Sequence, residues 1–191
     1  LDVATISGTT VTIIASGQTI ITATQLANSK YKSAQISMTL TVGKATPIIT
    51  FNDITRTFGD ADFNLSATSS STGAFTYTIA DNTIATLTGS KTTIVGAGTT
   101  TVTVSQAADN NYNSATATMT LTVGKATPTI TFNDITRTFG DPDFNLSATG
   151  SSTGAFTYTI ADASVATVSG NTVTIVGGGT TVVTASQVSD T

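Results

Sequence analysis

The sequence predicts an all-β protein built from tandem antiparallel β-sandwich modules, and three observations carry that reading. Thr supplies about a quarter of the 191 residues, with Val and Ile also prominent. Such β-branched side chains are stiff at χ1 and suit a pleated surface. The hydrophobic period is two throughout, and no useful window has helical spacing. Finally, the text repeats: Lys44-Ala45-Thr46-Pro47 returns as Lys125-Ala126-Thr127-Pro128, 81 residues later and without a gap.

The same offset takes Phe51 to Phe132, Asp60 to Asp141, Tyr77 to Tyr158 and Gln106 to Gln187. Between 44–81 and 125–162, 35 of 38 positions are identical. The opening residues keep the period too, with Gly8 matching Gly89, Gly17 matching Gly98, Tyr31 matching Tyr112, and Met38–Gly43 matching Met119–Gly124. Three segments are therefore expected. Residues 1–43 are the C-terminal part of one repeat, 44–124 a complete repeat, and 125–191 the N-terminal part of a third that lacks its last strand.

Within the complete repeat the elements follow in order. Short strands fit 48–51, then Phe63, Leu65 and Ala67 alternating with Asn64 and Ser66. Phe75, Tyr77 and Ile79 alternate with Thr76 and Thr78, and further strands fit 84–88 and 92–95. Val102 and Val104 alternate with Thr101, Thr103 and Ser105. The last strand sets Ala117, Met119, Leu121 and Val123 against an outer face of Thr. Turn signals separate them at Gly59-Asp60, Ser71-Thr72-Gly73, Gly89, Gly96-Ala97-Gly98 and Asp109-Asn110-Asn111. About seven strands in about 80 residues read as a sandwich. The expected core is Phe51, Phe58, Phe63, Phe75, Tyr77, Ile79, Ile94, Val102, Met119 and Leu121.

Composition excludes several kinds of chemistry. The chain has no Cys, no His and no Trp, and all 11 of its acids are Asp. A disulfide framework, a thiol nucleophile, an imidazole ligand and a Ser-His-Asp triad are all ruled out. Only 9% of residues are charged and the net charge is -4. Phosphate binding needs clustered Lys and Arg, so nucleic acid is not an expected partner. No run approaches the roughly 18 apolar residues of a membrane helix. The start, Leu1-Asp2-Val3, lacks the basic and apolar regions of a signal peptide, and reads as the interior of a longer chain.

A family resemblance covers essentially the whole sequence. Val165-Ala166-Thr167-Val168-Ser169-Gly170, then Asn171-Thr172-Val173-Thr174-Ile175-Val176-Gly177 with Gly179-Thr180-Thr181, resemble the middle of bacterial immunoglobulin-like repeats of the invasin and intimin kind. The closing Ala117-Thr118-Met119-Thr120-Leu121-Thr122-Val123 does so as well. The Lys-Ala-Thr-Pro junctions and the Phe-Gly-Asp-x-Asp-Phe text are similar to tandem repeats of giant surface adhesins in gliding and other Bacteroidota. The resemblance implies immunoglobulin-like modules, exposure at the cell surface and a non-catalytic array. It brings no catalytic residue with it, and no catalytic, cofactor-binding or metal-binding residue is assigned.

Each junction is short, and Pro128 fixes φ and biases Thr127 toward extended geometry. A semi-rigid rod is expected, each module adding roughly 30–40 Å for strands of up to about nine residues. Neighbouring repeats are the expected partners. Three roles follow: a stalk that extends an adhesive tip, repeats that themselves bind surface polysaccharide, or a self-assembling filament. Separately, in a truncated chain, residues 30–43 of one copy could complete 125–191 of another.

Candidate sites are few, and each has a plain alternative. Asp60 and Asp62, with Asp53 nearby, and Asp141 and Asp143, with Asp134 nearby, could offer oxygens to calcium or form solvated turns. Asp109-Asn110-Asn111-Tyr112-Asn113 could present Tyr112 to a glycan, or Tyr112, like Tyr31, could plug a sandwich end. Lys44 and Lys125 read as exposed interdomain lysines. Arg56 and Arg137 are expected to pair with Asp53 and Asp134. The Thr rows could order water, but short twisted strands favour a role in β propensity and solubility. Lys91 has Thr172 at its repeat position, and no nucleophile with a base and an orienting third group can be assembled.

Overall fold

A computed structural model describes residues 2–190. These residues are all-β, in many short antiparallel sheets with no helix among the described residues. The chain divides into two compact units, residues 1–126 and 127–191, so 1–43 and 44–124 share one unit.

Four strands form the opening region. β1 (Ala4–Ser7) and β2 (Thr10–Ile13) make a hairpin, and β3 (Gly17–Gln25) pairs along nine residues with β4 (Ala34–Val42). The β1–β2 turn is Gly8-Thr9, with φ +61° at Gly8 and no positive φ at any non-glycine residue. A positive φ at the first central residue alone fits a type II′ turn, whose twist matches that of the strands. The inner face of this region is partly open: Met38, opposite Ile21, is 59% exposed.

The complete repeat contains β5 (Ile49–Thr50), β6 (Ile54–Thr57), β7 (Phe63–Asn64), β8 (Thr68–Ser69) and β9 (Phe75–Ile79). There follow β10 (Ala85–Thr88), β11 (Lys91–Ile94), β12 (Gly98–Gln106) and β13 (Ala115–Gly124). One sheet has the order β6-β13-β12-β9 and the other β10-β11-β7, while β5 and β8 form a small pair. The two main sheets bury one core. Val102, Met119, Leu121 and Val123 from the first meet Leu65 and Ala85, with Phe63, Leu87 and Ile94 partly buried around them. Period-two alternation produces this directly, since β13 reads buried at Met119, Leu121 and Val123 and exposed at each Thr between. Full burial of a side chain such as Leu121, at 0% exposure, is worth about 1.5–3 kcal/mol.

Three sequence expectations need correction. Phe58 is 48% exposed and lies outside the core; it follows the end of β6, where its backbone N–H donates to the carbonyl of Gly124 (2.8 Å). β6 itself was not foreseen. Its text, Ile-Thr-Arg-Thr, has too little apolar alternation to read as a strand, yet it pairs in parallel with β13, Ile54 opposite Leu121. Arg56 does not seek Asp53. Its guanidinium lies over the Phe63 ring at 4.6 Å, and Asp53 Oδ1 accepts from Thr120 N at 2.6 Å. Arg137 repeats the arrangement over Phe144 at 4.7 Å.

The second unit contains β14 (Ile130–Thr131), β15 (Phe144–Asn145), β16 (Thr149–Gly150), β17 (Phe156–Ile160), β18 (Ala166–Ser169), β19 (Thr172–Ile175) and β20 (Val183–Gln187). They pair as β14-β16, β15-β19-β18 and β17-β20. Leu146, Ala166 and Val173 form its buried core. Residues 135–138, identical in sequence to β6, are in no strand.

Candidate functional site

The polar loop Asp109–Asn113 joins β12 to β13 and is the most heavily bonded polar feature of the complete repeat. Its organiser is Asp109, whose carboxylate uses both oxygens. Oδ1 accepts from the backbone N–H groups of Asn111 and Tyr112, each at 2.8 Å. Oδ2 accepts from Ser71 Oγ (2.8 Å), Thr72 N (2.9 Å) and Thr72 Oγ1 (3.0 Å). These donors favour the charged form, so the carboxyl is held well below its usual range, the Thr72 amide foremost. Parts of this arrangement recur at the equivalent positions. Asn28, at the equivalent position of the opening region, accepts from Lys30 N and Tyr31 N at 2.8 and 2.9 Å. Asp190 in the second unit accepts from Ser152 Oγ at 2.8 Å and from Thr153.

Once organised, the loop reaches backward along the chain. Asn111 Oδ1 accepts from Ser16 N at 2.9 Å, and the Asn110 carbonyl accepts from Ser16 Oγ. Ala45 N donates to the Asn111 carbonyl (2.9 Å), and Asn113 N donates to the Ala45 carbonyl (2.8 Å). These two bonds make a parallel bridge between Ala45 and Tyr112. Lys44 Nζ donates to the Asp109 carbonyl at 2.6 Å. One loop of the repeat 44–124 therefore binds both the connecting segment and Ser16 of the preceding region. Tyr112 is half-buried at this bridge. Lys44, expected as an exposed lysine, is a donor in the same assembly.

A second polar support was missed from sequence. Gln106, 2% exposed, donates from Nε2 to the carbonyls of Ser71 (3.1 Å) and Gly73 (2.9 Å). Gln187 does the same to Ser152 (2.9 Å) and Gly154 (2.8 Å). The available signal was a Gln interrupting an apolar alternation at the same repeat position. Gly73 is required here by close approach, because a Cβ would lie 1.8 Å from the Ala107 carbonyl oxygen.

The paired aspartates are drawn to separate tasks. Asp60 Oδ2 accepts from Thr57 N at 2.9 Å, and Asp60 N donates back to the Thr57 carbonyl at 3.0 Å, closing a turn. Asp141 repeats this bond with Thr138 at 3.0 Å. Asp62 instead pairs with Lys91 Nζ at 2.8 Å, which lowers its pKa, helped by Thr93. At the position equivalent to Lys91 the second unit has Thr172, so Asp143 cannot form that ion pair. Among the described residues, no three His, Cys, Asp or Glu side chains gather as a metal-binding group.

Shallow depressions recur at matching places. One is bordered by Phe75, Tyr77 and Gly89-Ser90, the other by Phe156, Tyr158 and Gly170-Asn171. The aromatic pairs are tilted or stacked with ring centroids 6.4 Å apart. No family model matches the chain, and no curated protein matches it.

Proposed function

We propose that this chain is a non-catalytic run of stalk modules from a large secreted adhesin, displayed at the cell surface, whose work is to extend a binding tip. The observation that carries the reading is the junction. The Asp109–Asn113 loop fastens a complete module to the segment before it through Ser16, Lys44 and Ala45. A spacer under load needs its modules held in register, and these bonds act through backbone groups and small polar side chains. Near-identical repeats serve the same end, since a spacer needs only to repeat. The resemblance to adhesin repeats, including those of gliding Bacteroidota, supports a place in adhesion and surface motility.

A second reading rests on the recurring depressions. An aromatic face flanked by a Gly turn could hold a sugar ring, and weak binding at each module would gain from repetition.

Small-angle scattering in calcium and in chelator tests the first reading. An elongated particle of unchanged maximum dimension is expected in both conditions. Compaction in chelator would overturn the metal-free junction. Retention of the chain on immobilised polysaccharide, lost on Tyr77→Ala, would displace the stalk in favour of the second reading.

A further inference from the structure

One sheet edge inside the complete repeat is left without the protection that edge strands ordinarily carry. In the sheet β6-β13-β12-β9, β9 is terminal and pairs with β12 alone. The ladder runs from Phe75 opposite Gln106 to Ile79 opposite Val102. At its two ends, Ala80 N donates to the Thr101 carbonyl and Ala107 N to the Ala74 carbonyl, each at 3.0 Å. Antiparallel pairs alternate between bonded and non-bonded, so Ala74, Thr76, Thr78 and Ala80 turn their main-chain groups toward β12. Those of Phe75, Tyr77 and Ile79 point outward from the edge, and among the described residues they have no hydrogen-bond partner.

The second unit repeats this edge in β17. Its text is the same Phe-Thr-Tyr-Thr-Ile, and Ala161 N donates to the Val182 carbonyl as Ala80 N does to that of Thr101. Both edges open onto the shallow depressions described above. Each depression borders three consecutive residues, Phe75-Thr76-Tyr77 or Phe156-Thr157-Tyr158. Consecutive side chains of a strand take opposite faces, so the depression follows the edge itself, where an added strand would lie.

Edge strands are commonly guarded by charge, Pro, a bulge or a cover. Residues 74–80, Ala-Phe-Thr-Tyr-Thr-Ile-Ala, contain no charge and no Pro, and β9 pairs without a bulge. The opposite edge of the same sheet differs, since β6 carries Arg56. The text of β9 is also near-symmetric about Tyr77, and that symmetry selects the partner. Antiparallel pairing centred on Tyr77 sets Thr76 opposite Thr78 and Phe75 opposite Ile79 of a second copy. The outward main-chain groups then meet their own counterparts, and two Tyr77 rings become cross-strand neighbours on the inner face. We propose that β9, and its twin β17, join a second copy of this chain edge to edge by antiparallel strand addition, continuing one sheet across both chains. The proposal goes beyond the stalk reading and does not depend on it.

The chain has no Cys, so introduced cysteines report the register on the full 191 residues. Thr76 and Thr78 of the second copy form a non-bonded pair with Cα atoms about 4.5 Å apart, within disulfide reach. Thr76 and its own counterpart lie on a diagonal of about 7–8 Å, beyond that reach. Oxidising a mixture of Thr76→Cys and Thr78→Cys chains should give about tenfold more linked dimer than oxidising Thr76→Cys alone. Light scattering over a dilution series supplies the second measurement. The unmodified chain has two such edges and should grow past a dimer as concentration rises. A chain with Thr157→Lys and Thr159→Lys should stop at a dimer, and one that adds Thr76→Lys and Thr78→Lys should stay monomeric; all four threonines are exposed. A monomeric mass for the unmodified chain up to millimolar concentration would overturn the proposal. So would undiminished association of the fully substituted chain, or equal yields from the two cysteine pairings, a comparison that stands without the Lys variants.

Discussion

Met119 and Met38 occupy the same position of the same strand text, yet one is 3% exposed and the other 59%. The flanking Met-Thr-Leu-Thr-Val-Gly is identical, and both strands pair antiparallel along nine residues with a similar neighbour. What differs is the opposing sheet. β13 has Leu65, Ala85 and their surroundings across the core, whereas β4 pairs with β3 alone and Met38 belongs to no buried cluster. The second unit shows the converse. It retains the opposing sheet, with Leu146, Ala166 and Val173 buried, and β20 pairs with β17 over five residues. A strand's pairing is thus settled by its immediate neighbour, and its burial by the layer across from it.

The comparison can be tested most severely at its shared tight spot. A Cβ on Gly73 would meet the Ala107 carbonyl oxygen at 1.8 Å, and one on Gly154 the Val188 carbonyl oxygen at 1.9 Å. Each Gly→Ala variant should therefore cost about 3 kcal/mol by local overpacking, read from urea unfolding. A loss at Gly73→Ala alone would mean that the two modules differ at this close approach.

The contrast between the methionines is next in size. Met119→Ala removes a buried side chain and should cost about 2–4 kcal/mol. Met38→Ala removes one that is mostly in water and should cost under about 1 kcal/mol. Chemical denaturation of the two single variants measures the difference. Equal losses would mean that Met38 is covered in solution.

The smallest effect is on acid sensitivity. Asp109 is held charged by the Thr72, Asn111 and Tyr112 amides and the Ser71 hydroxyl, so its folded pKa lies below its unfolded one. Its stabilisation is therefore complete above the ordinary carboxylate range and is lost as pH falls through the depressed value. Acid unfolding followed at the Asn111 and Tyr112 amides should show their protection retained until the pH has fallen well below the ordinary carboxylate range. Asp109→Asn, which keeps an oxygen acceptor but no charge, should flatten that pH dependence.

Much of this was legible in the sequence. Period-two alternation gave β9, β12 and β13 and the inward set Val102, Met119 and Leu121, because a pleated strand needs nothing beyond itself to sort its two faces. The Gly89 turn was readable for a similar local reason, since glycine takes the positive φ found there at no steric cost. Asp53, Arg56 and Phe58 were misread because their partners, Thr120, Phe63 and Gly124, are set by the parallel β6–β13 pair. Nothing in Ile-Thr-Arg-Thr announces that pair. The Asp109–Asn113 loop was recognised as polar and turn-forming, but its grip on Ser16 spans about 95 residues, a distance over which spacing carries no information.

The sequence by itself determined the strand class, the turns, the repeat and the inner face of each long strand, all of them consequences of chirality and side-chain branching acting over a few residues. Only the tertiary structure decided which inner faces are buried, which edges are filled and where the junction is fastened. Those outcomes depend on surfaces brought together from distant parts of the chain. Identical text then acquires different environments because burial belongs to the pair of layers and not to either strand alone.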